Sequence, residues 1–428
     1  ILFNILANTL IKRINDDFYL LLLLVLFLLH PGILYIACSG KSMYLQLIFF
    51  FLFFLNIFKF YTSNTTFHVS IASICLVVLV FCEYKFIWLT LFFLPLVLSI
   101  SIHSLNLSEK ESVFRLFTSF NNPSLRRKLI NKTFALYIII FILPLISVLI
   151  YKMLNLTHAN DLNYFIESPY ATWSVLSEKI NYNVLAETTA VHKLPEVSII
   201  LSLRIVLFCP LIFIAIYLFR QKTYQILTLI VPFAFVEFLR IKYDKVYLTH
   251  QYYLMFLILA LLCIVMRSHT IREQRTFKII LGVLVLVQLY TGWAFLDNSY
   301  IDDEQNFLSA LLKKEINITQ DENTDMASYI NSLPGSPQLL MDDAVAYPVV
   351  AYVDNVQELI LPYQEDFLSA IESPDKYAHY ILVATDKNKV NGYTQLTTKY
   401  LQIIQNADNT LTLEKKYETE NWILYKIN

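Results

Sequence analysis

The sequence predicts an α-helical polytopic membrane protein with a C-terminal α/β domain in water, and three observations predict it. Hydrophobic residues make up 57% of the chain and its mean hydropathy is +0.53, above the roughly half-apolar content of soluble domains. Residues 1–296 are a succession of apolar runs of membrane-spanning length, whereas residues 297–428 contain none. Charge divides at the same place: the tail carries 21 acids against 9 bases, leaving 13 and 24 of the chain's 34 and 33 for the first part. Runs such as 18–29 and 49–57 would aggregate in water, and in lipid the backbone must satisfy its own hydrogen bonds as helix. The predicted domains are therefore 1–296, transmembrane, and 297–428, aqueous. The net charge of −1 cancels two opposite halves and carries no information about partners.

Apolar windows of about 20 residues place spans near 18–31, 43–60, 68–82, 86–102, 134–151, 197–219, 224–240, 248–266 and 279–296, with a partial span at 1–11. Lys12 and Arg13 follow the partial span, and the loop 103–133 holds Lys110, Arg115, Arg126, Arg127, Lys128 and Lys132. Arg220 and Lys222 fill a tight turn, and Arg267, Arg272, Arg275 and Lys278 another loop. With these spans the four basic segments fall on one face, which the positive-inside rule makes cytoplasmic. The opposite face receives 31–41, the turn around Glu83, the long loop 152–196, the short loop 241–247 and the tail, which becomes extracytoplasmic. The chain opens at Ile1, already inside an apolar stretch and with no basic n-region or cleavage site before it. That reads as a fragment truncated within a helix rather than as a signal peptide.

After Asp297 the pattern turns to short mixed segments. Residues 325–333 read as an amphipathic helix stopped by Pro334-Gly335. Strands are expected at 338–341, 347–353, 359–361, 379–384, 410–413 and 422–427, and helices at 365–371 and 393–405. Such alternation predicts a small layered α/β domain. It carries no phosphate-binding glycine loop or hydrolase nucleophile elbow. Asp342-Asp343 follows a strand and reads as an acidic turn capping the next segment. All five cysteines (Cys38, Cys75, Cys82, Cys209, Cys263) lie in or beside apolar runs without metal-ligand spacing, so they read as small buried apolar groups.

Three features of the outer face stand out. The loop 152–196 interleaves carboxylates with aromatic rings, as in Asp161, Tyr164, Glu167 and Tyr170. Rings that stack on sugar C–H faces beside carboxylates that accept hydroxyl bonds suit glycan or acceptor recognition. An interfacial amphipathic helix anchored by Tyr164, Phe165, Tyr170 and Trp173 fits the same residues. Next, Glu237, Arg240, Lys242, Asp244 and Lys245, followed by His250, Gln251 and Tyr252, put three cations against the charge bias. A cluster at headgroup level can hold a lipid phosphate by charge-assisted hydrogen bonds, or snorkel to anionic headgroups in general. Third, Arg204 lies inside a span, where charge faces a bundle interior, with Glu237 or Glu83 as possible counter-ions. His30-Pro31 reads as a helix breaker at the end of the first full span.

These segments also carry a family resemblance. His30-Pro31-Gly32 through Ser39-Gly40-Lys41-Ser42-Met43-Tyr44-Leu45 resembles the segment that follows the catalytic loop of bacterial GT-C membrane glycosyltransferases, including dolichyl-phosphate-mannose–protein mannosyltransferase-like proteins. Cys82-Glu83-Tyr84-Lys85 sits where many of them have an Arg-Tyr-Glu turn. Leu154-Asn155-Leu156-Thr157, with Asp161-Leu162-Asn163-Tyr164-Phe165 and Ser168-Pro169-Tyr170, is similar to another of their stretches. In the tail, Ala346-Tyr347-Pro348-Val349-Val350, Pro362-Tyr363-Gln364-Glu365-Asp366-Phe367 and Trp422-Ile423-Leu424-Tyr425-Lys426 resemble their C-terminal domain.

The resemblance implies a GT-C-like fold and transfer of a sugar from a polyprenyl-phosphate donor to an envelope acceptor (glycan, lipid or protein) on the outer face of the bacterial inner membrane. Membrane lipids are the other expected partners, and nucleic acid is not one. Arg240, Lys242, Lys245, His250, Gln251 and Tyr252 become the candidate donor-phosphate site; Asp161, Tyr164, Glu167 and Tyr170 become the candidate acceptor or sugar site. The family's catalytic carboxylate belongs to a first external loop, which here would lie before Ile1. It would act as general base or help bind a divalent metal; no cofactor is assigned from these residues. Relatives often hold the phosphate with Arg-Tyr at the start of a late span, where this chain has His250-Gln251-Tyr252. The rival expectation is a non-catalytic protein of envelope polysaccharide assembly or export.

Overall fold

The computed structural model describes residues 1–14, 16–39, 43–63, 65–105, 123–159, 162–163, 205–220, 223–243, 250–271, 273–297, 302–312, 322–385, 396 and 412–428. By internal contacts the chain forms two compact units: Ile1–Leu149 with Asn181–Lys314, and Ile150–Ile180 with Glu315–Asn428. The first is helical. Its elements are α1 (Leu2–Arg13), α2 (Asp17–Leu29), α3 (Pro31–Cys38), α4 (Met43–Ser63), α5 (Thr66–Cys82) and α6 (Ile87–Ser104). They continue with α7 (Pro123–Ala159), which runs on past Leu149, then α8 (Leu211–Phe219), α9 (Thr223–Tyr243), α10 (His250–Arg267), α11 (Gln274–Asp297) and α12 (Asp302–Leu311).

Among the described residues five helical stretches are long and apolar enough to cross a membrane: Met43–Tyr61, Tyr84–Ile102, Arg126–Thr157, Tyr253–Thr270 and Gln274–Asp297. The pair α2 and α3, bent by 57° at His30-Pro31, makes a sixth if counted as one span. Thr66–Cys82 and Gln225–Leu239 are apolar but shorter. Of the window 197–219, residues 197–204 lie outside the described part, while 205–208 and α8 are helical. The apolar composition that predicted spans thus produces apolar helices.

Phenylalanine fills the bundle where glycine is scarce, with 32 Phe against 6 Gly. Membrane helices usually approach through small residues; here edge-to-face rings fill the wider gap. Phe53 meets Phe93 at 4.8 Å between centroids, and Phe58 stacks on Phe219 at 5.1 Å. The window of α10 is 83% buried and that of α4 67%, against 33% for α7 and α11, so the first two are central and the last two peripheral. Ile279, Val283, Leu286 and Tyr290 form the exposed face of α11, which suits contact with lipid tails. Polar groups inside the bundle are spent on carbonyls: the Ser73 hydroxyl donates to Ile140 O at 3.0 Å, tying α5 to α7.

The basic segments gather at one end. The Arg13 guanidinium donates to Met266 O at 3.4 Å, and Arg267 donates to Gln225 Oε1 at 3.2 Å. Lys278 pairs with Asp16, whose carboxylate also caps α2 by accepting from Phe18 N at 3.0 Å. The Lys278 hydrogen bond is the main reason the Asp16 carboxyl sits below its ordinary pKa. The Tyr19 hydroxyl donates to Gln274 Oε1 at 3.0 Å. Three of the four basic segments therefore meet; the described portion of the fourth is the start of α7.

The second unit contains a five-stranded sheet with order β2-β1-β3-β5-β4. Its elements are α13 (Glu322–Asn331), β1 (Leu339–Leu340), α14 (Asp343–Val350), β2 (Leu359–Ile360), α15 (Asp366–Glu372), α16 (Pro374–Tyr377), β3 (Tyr380–Ala384), β4 (Leu413–Glu418) and β5 (Trp422–Ile427). β1 is parallel to β2 and β3, whereas β5 is antiparallel to β3 and β4. Alternate residues feed opposite faces. Leu339, Leu382, Ala384, Trp422 and Leu424 pack with Met326 and Val349; Leu340, Ile381 and Val383 pack with Phe367 and Ile371.

Most predicted tail elements fall within a residue or two, and two do not. The segment 347–353 is not a strand: α14 (Asp343–Val350) covers 347–350 and a turn follows. Its buried positions Ala346, Val349 and Val353 recur every three to four residues, the helical period, and the acidic first turn favours a helix start. Of the expected strand 410–413, residues 410 and 411 lie outside the described residues, and the edge strand of the closing hairpin is the charged segment Leu413–Glu418. Charge on an edge protects it from pairing and hides it from a reading based on apolar alternation. The expected helix 393–405 lies outside the described residues apart from Leu396. Asp342 directly precedes α14, as an acidic cap would, and is buried.

Candidate functional site

Five of the six candidate phosphate-binding residues sit at two helix ends. Arg240 and Lys242 belong to the last turn of α9, and His250, Gln251 and Tyr252 open α10. Lys245 lies outside the described residues, as do Arg204, Asp161, Tyr164, Glu167 and Tyr170. The linker 244–249 reaches at most about 25 Å, less than the ~30 Å apolar thickness of a bilayer, so the two ends share one side of the bundle. That side is opposite the arginine-rich end. Arg267 at the close of α10 bonds Gln225 at the start of α9, and α9, 21 residues long, rises about 30 Å from there.

The same end holds two buried charged side chains, Glu83 and Lys85. After α5 the chain extends at Glu83 and makes a short 3₁₀ turn, Tyr84–Phe86, before α6. Phe86 N donates to Glu83 O at 3.0 Å to close it. Glu83 is 5% exposed and Lys85 2%, and the Glu83 carboxylate acts electrostatically on the Lys85 ammonium. Phe86 stacks on Phe235 at 5.5 Å and Trp88 meets Phe238 at 5.3 Å, which docks this turn against α9 just before Arg240. Buried charge inside an apolar bundle is costly and is kept where it orients or binds something. A buried lysine in the turn before α6, beside the α9 turn that carries Arg240 and Lys242 in sequence, suits an anionic group. Sequence pointed to Glu83 as a counter-ion and to this tetrapeptide by resemblance; the burial of Lys85 was not visible there.

A second polar centre surrounds His30. The break at His30-Pro31 is present, but His30 does more than break the helix. It is 2% exposed, and its Nε2 lies 3.4 Å from Gln288 Nε2 of α11, itself 2% exposed. Gly292, one turn on, makes room for the ring: a Cβ there would stand 2.8 Å from His30 Nε2. Gln288 donates to Phe208 O at 3.0 Å. The sequence signals were a glutamine and a rare glycine four apart in an apolar span, with nothing to indicate their partner. Gly292→Ala should therefore lower stability by about 1–3 kcal/mol through overpacking. Gly282→Ala, whose Cβ would meet only Phe18 Cζ at 3.9 Å, should be neutral or gain up to about 1 kcal/mol from helix propensity. Thermal unfolding of the purified variants in detergent checks both.

Among the described residues no three His, Cys, Asp or Glu side chains group as metal ligands. No protein-family model matches the chain, and no curated protein matches it significantly.

Proposed function

We propose that the chain is the membrane body of a GT-C-like glycosyltransferase, with about nine full spans and one partial span and an extracytoplasmic C-terminal α/β domain, which moves a sugar from a polyprenyl-phosphate donor to an envelope acceptor. The observation that carries this reading is the convergence at one bundle end of buried Lys85 with the α9 turn bearing Arg240 and Lys242. Cations opposite the arginine-rich end run against the charge bias of membrane loops, and a lipid phosphate at headgroup depth accounts for them. The last of these helices ends at Asp297 on that same side by helix order.

In the proposed reaction an acceptor hydroxyl attacks the anomeric carbon. The new O–C1 bond forms as the bond from C1 to the phosphate oxygen breaks, the acceptor proton passes to a carboxylate base, and the configuration inverts. The cations of the cluster hold the departing phosphate, whose charge rises as the bond breaks. The reading is tested by native mass spectrometry of the full-length protein with polyprenyl phosphate and polyprenol of equal chain length. Retention of the phosphate over the alcohol is expected; equal retention would remove the basis for a phosphate site.

A further inference from the structure

Two interrupted helices meet at the middle of α11. The first break is His30-Pro31. The second is Cys209-Pro210, between the helical residues 205–208 and α8. Proline offers no N–H, and Ile212 N turns to Cys209 O at 3.0 Å instead of Phe208 O. The freed Phe208 carbonyl accepts from Gln288 Nε2 at 3.0 Å and from the Thr291 hydroxyl at 3.4 Å.

Those bonds fix the Gln288 amide. Turning it over would set Oε1 against the Phe208 carbonyl, oxygen to oxygen, so Nε2 must face Phe208 and Oε1 must face away. Gln288 Oε1 is buried and has no hydrogen-bond partner among the described residues. Leaving such an acceptor dry is unfavourable in any protein interior. It borders a small cavity lined also by His30, Phe208, Tyr253, Gly292 and Phe295. The space suits one water molecule and nothing larger.

We infer that this junction is a binding site for a single ordered water, which donates a hydrogen bond to Gln288 Oε1 between the two proline breaks. The ligand must be a donor, because the vacant position is an acceptor, and it must be small. His30 and Tyr253 line the same space. The apolar rings of Phe208 and Phe295, 4.9 Å apart edge to face, wall the site from the surrounding bundle. The water thereby makes the two breaks one hydrated joint, with α11 as its fixed side.

X-ray radiolytic footprinting of the full-length protein in nanodiscs tests this, because a bound water releases hydroxyl radicals onto the side chains beside it. Phe208, Tyr253 and Phe295 should be oxidised several-fold more than Phe53 and Phe93, which are fully buried elsewhere in the bundle. Oxidation no greater than at Phe53 and Phe93 overturns the site. Gln288→Met removes the acceptor at similar volume and should bring the three rings to that background. Persistent labelling in this variant overturns the assignment of the water to Gln288, and the wild-type comparison stands on its own if the variant does not fold.

Discussion

Lys85→Met is expected to lower stability by about 3–5 kcal/mol, the usual cost of stripping the partner from a buried charge. Lys85 and Glu83 are both almost fully buried, so water cannot take over the solvation of the carboxylate that remains. Glu83 then stays ionised at high cost or takes up a proton. The double variant Glu83→Gln/Lys85→Met removes both charges and should recover most of the loss, since a buried pair is worth little net against apolar packing. Thermal or denaturant unfolding of the single and double variants forms the cycle that isolates the pair. A double-variant loss equal to the sum of the Glu83→Gln and Lys85→Met losses would mean that the two side chains do not act on each other. If Lys85 also serves the phosphate, the double variant folds but loses transfer, separating its two roles.

The second large effect is expected from Arg240→Ala, Lys242→Ala and Lys245→Ala combined. Arg240 and Lys242 occupy the last turn of a helix whose inner face is held by Phe235 and Phe238 against the α6 side. The substitutions leave Phe235 and Phe238 in place, so folding should survive. Turnover should be abolished, because three charge-assisted contacts to a phosphate in a low-dielectric site are removed together. Assay of sugar transfer alongside the unfolding temperature reads both. Unchanged transfer in a folded triple variant would take these residues out of the site.

Apolar run length predicted the positions of most of the described apolar helices, because in lipid the backbone satisfies its polar groups as helix. Loop charge anticipated that Arg13, Arg267 and Lys278 share one end, where the structure adds their individual partners. Contacts between distant positions were not legible. His30 and Gln288 are 258 residues apart, and nothing in either neighbourhood names the other. Burial of Lys85 was equally hidden, since a lysine beside a turn ordinarily snorkels to water; here the aromatic residues around it close the turn onto α9. In the tail, β3 and β5 were readable from alternation. Helix α14 was not, because Tyr347-Pro348-Val349-Val350 has strand composition while its burial follows a helical period. The sequence's candidate sugar-recognition residues, Asp161 to Tyr170, lie outside the described part and rest on the sequence reading alone.

The proposed activity is transfer of a sugar from a polyprenyl phosphate. Its most direct test is the full-length protein in proteoliposomes, supplied with radiolabelled polyprenyl-phosphate sugars and a membrane-envelope extract as acceptor. Label is expected in the acceptor fraction, with one polyprenyl phosphate released per sugar moved and an inverted anomeric linkage. Folded protein that releases no polyprenyl phosphate and moves no label from any donor would contradict it.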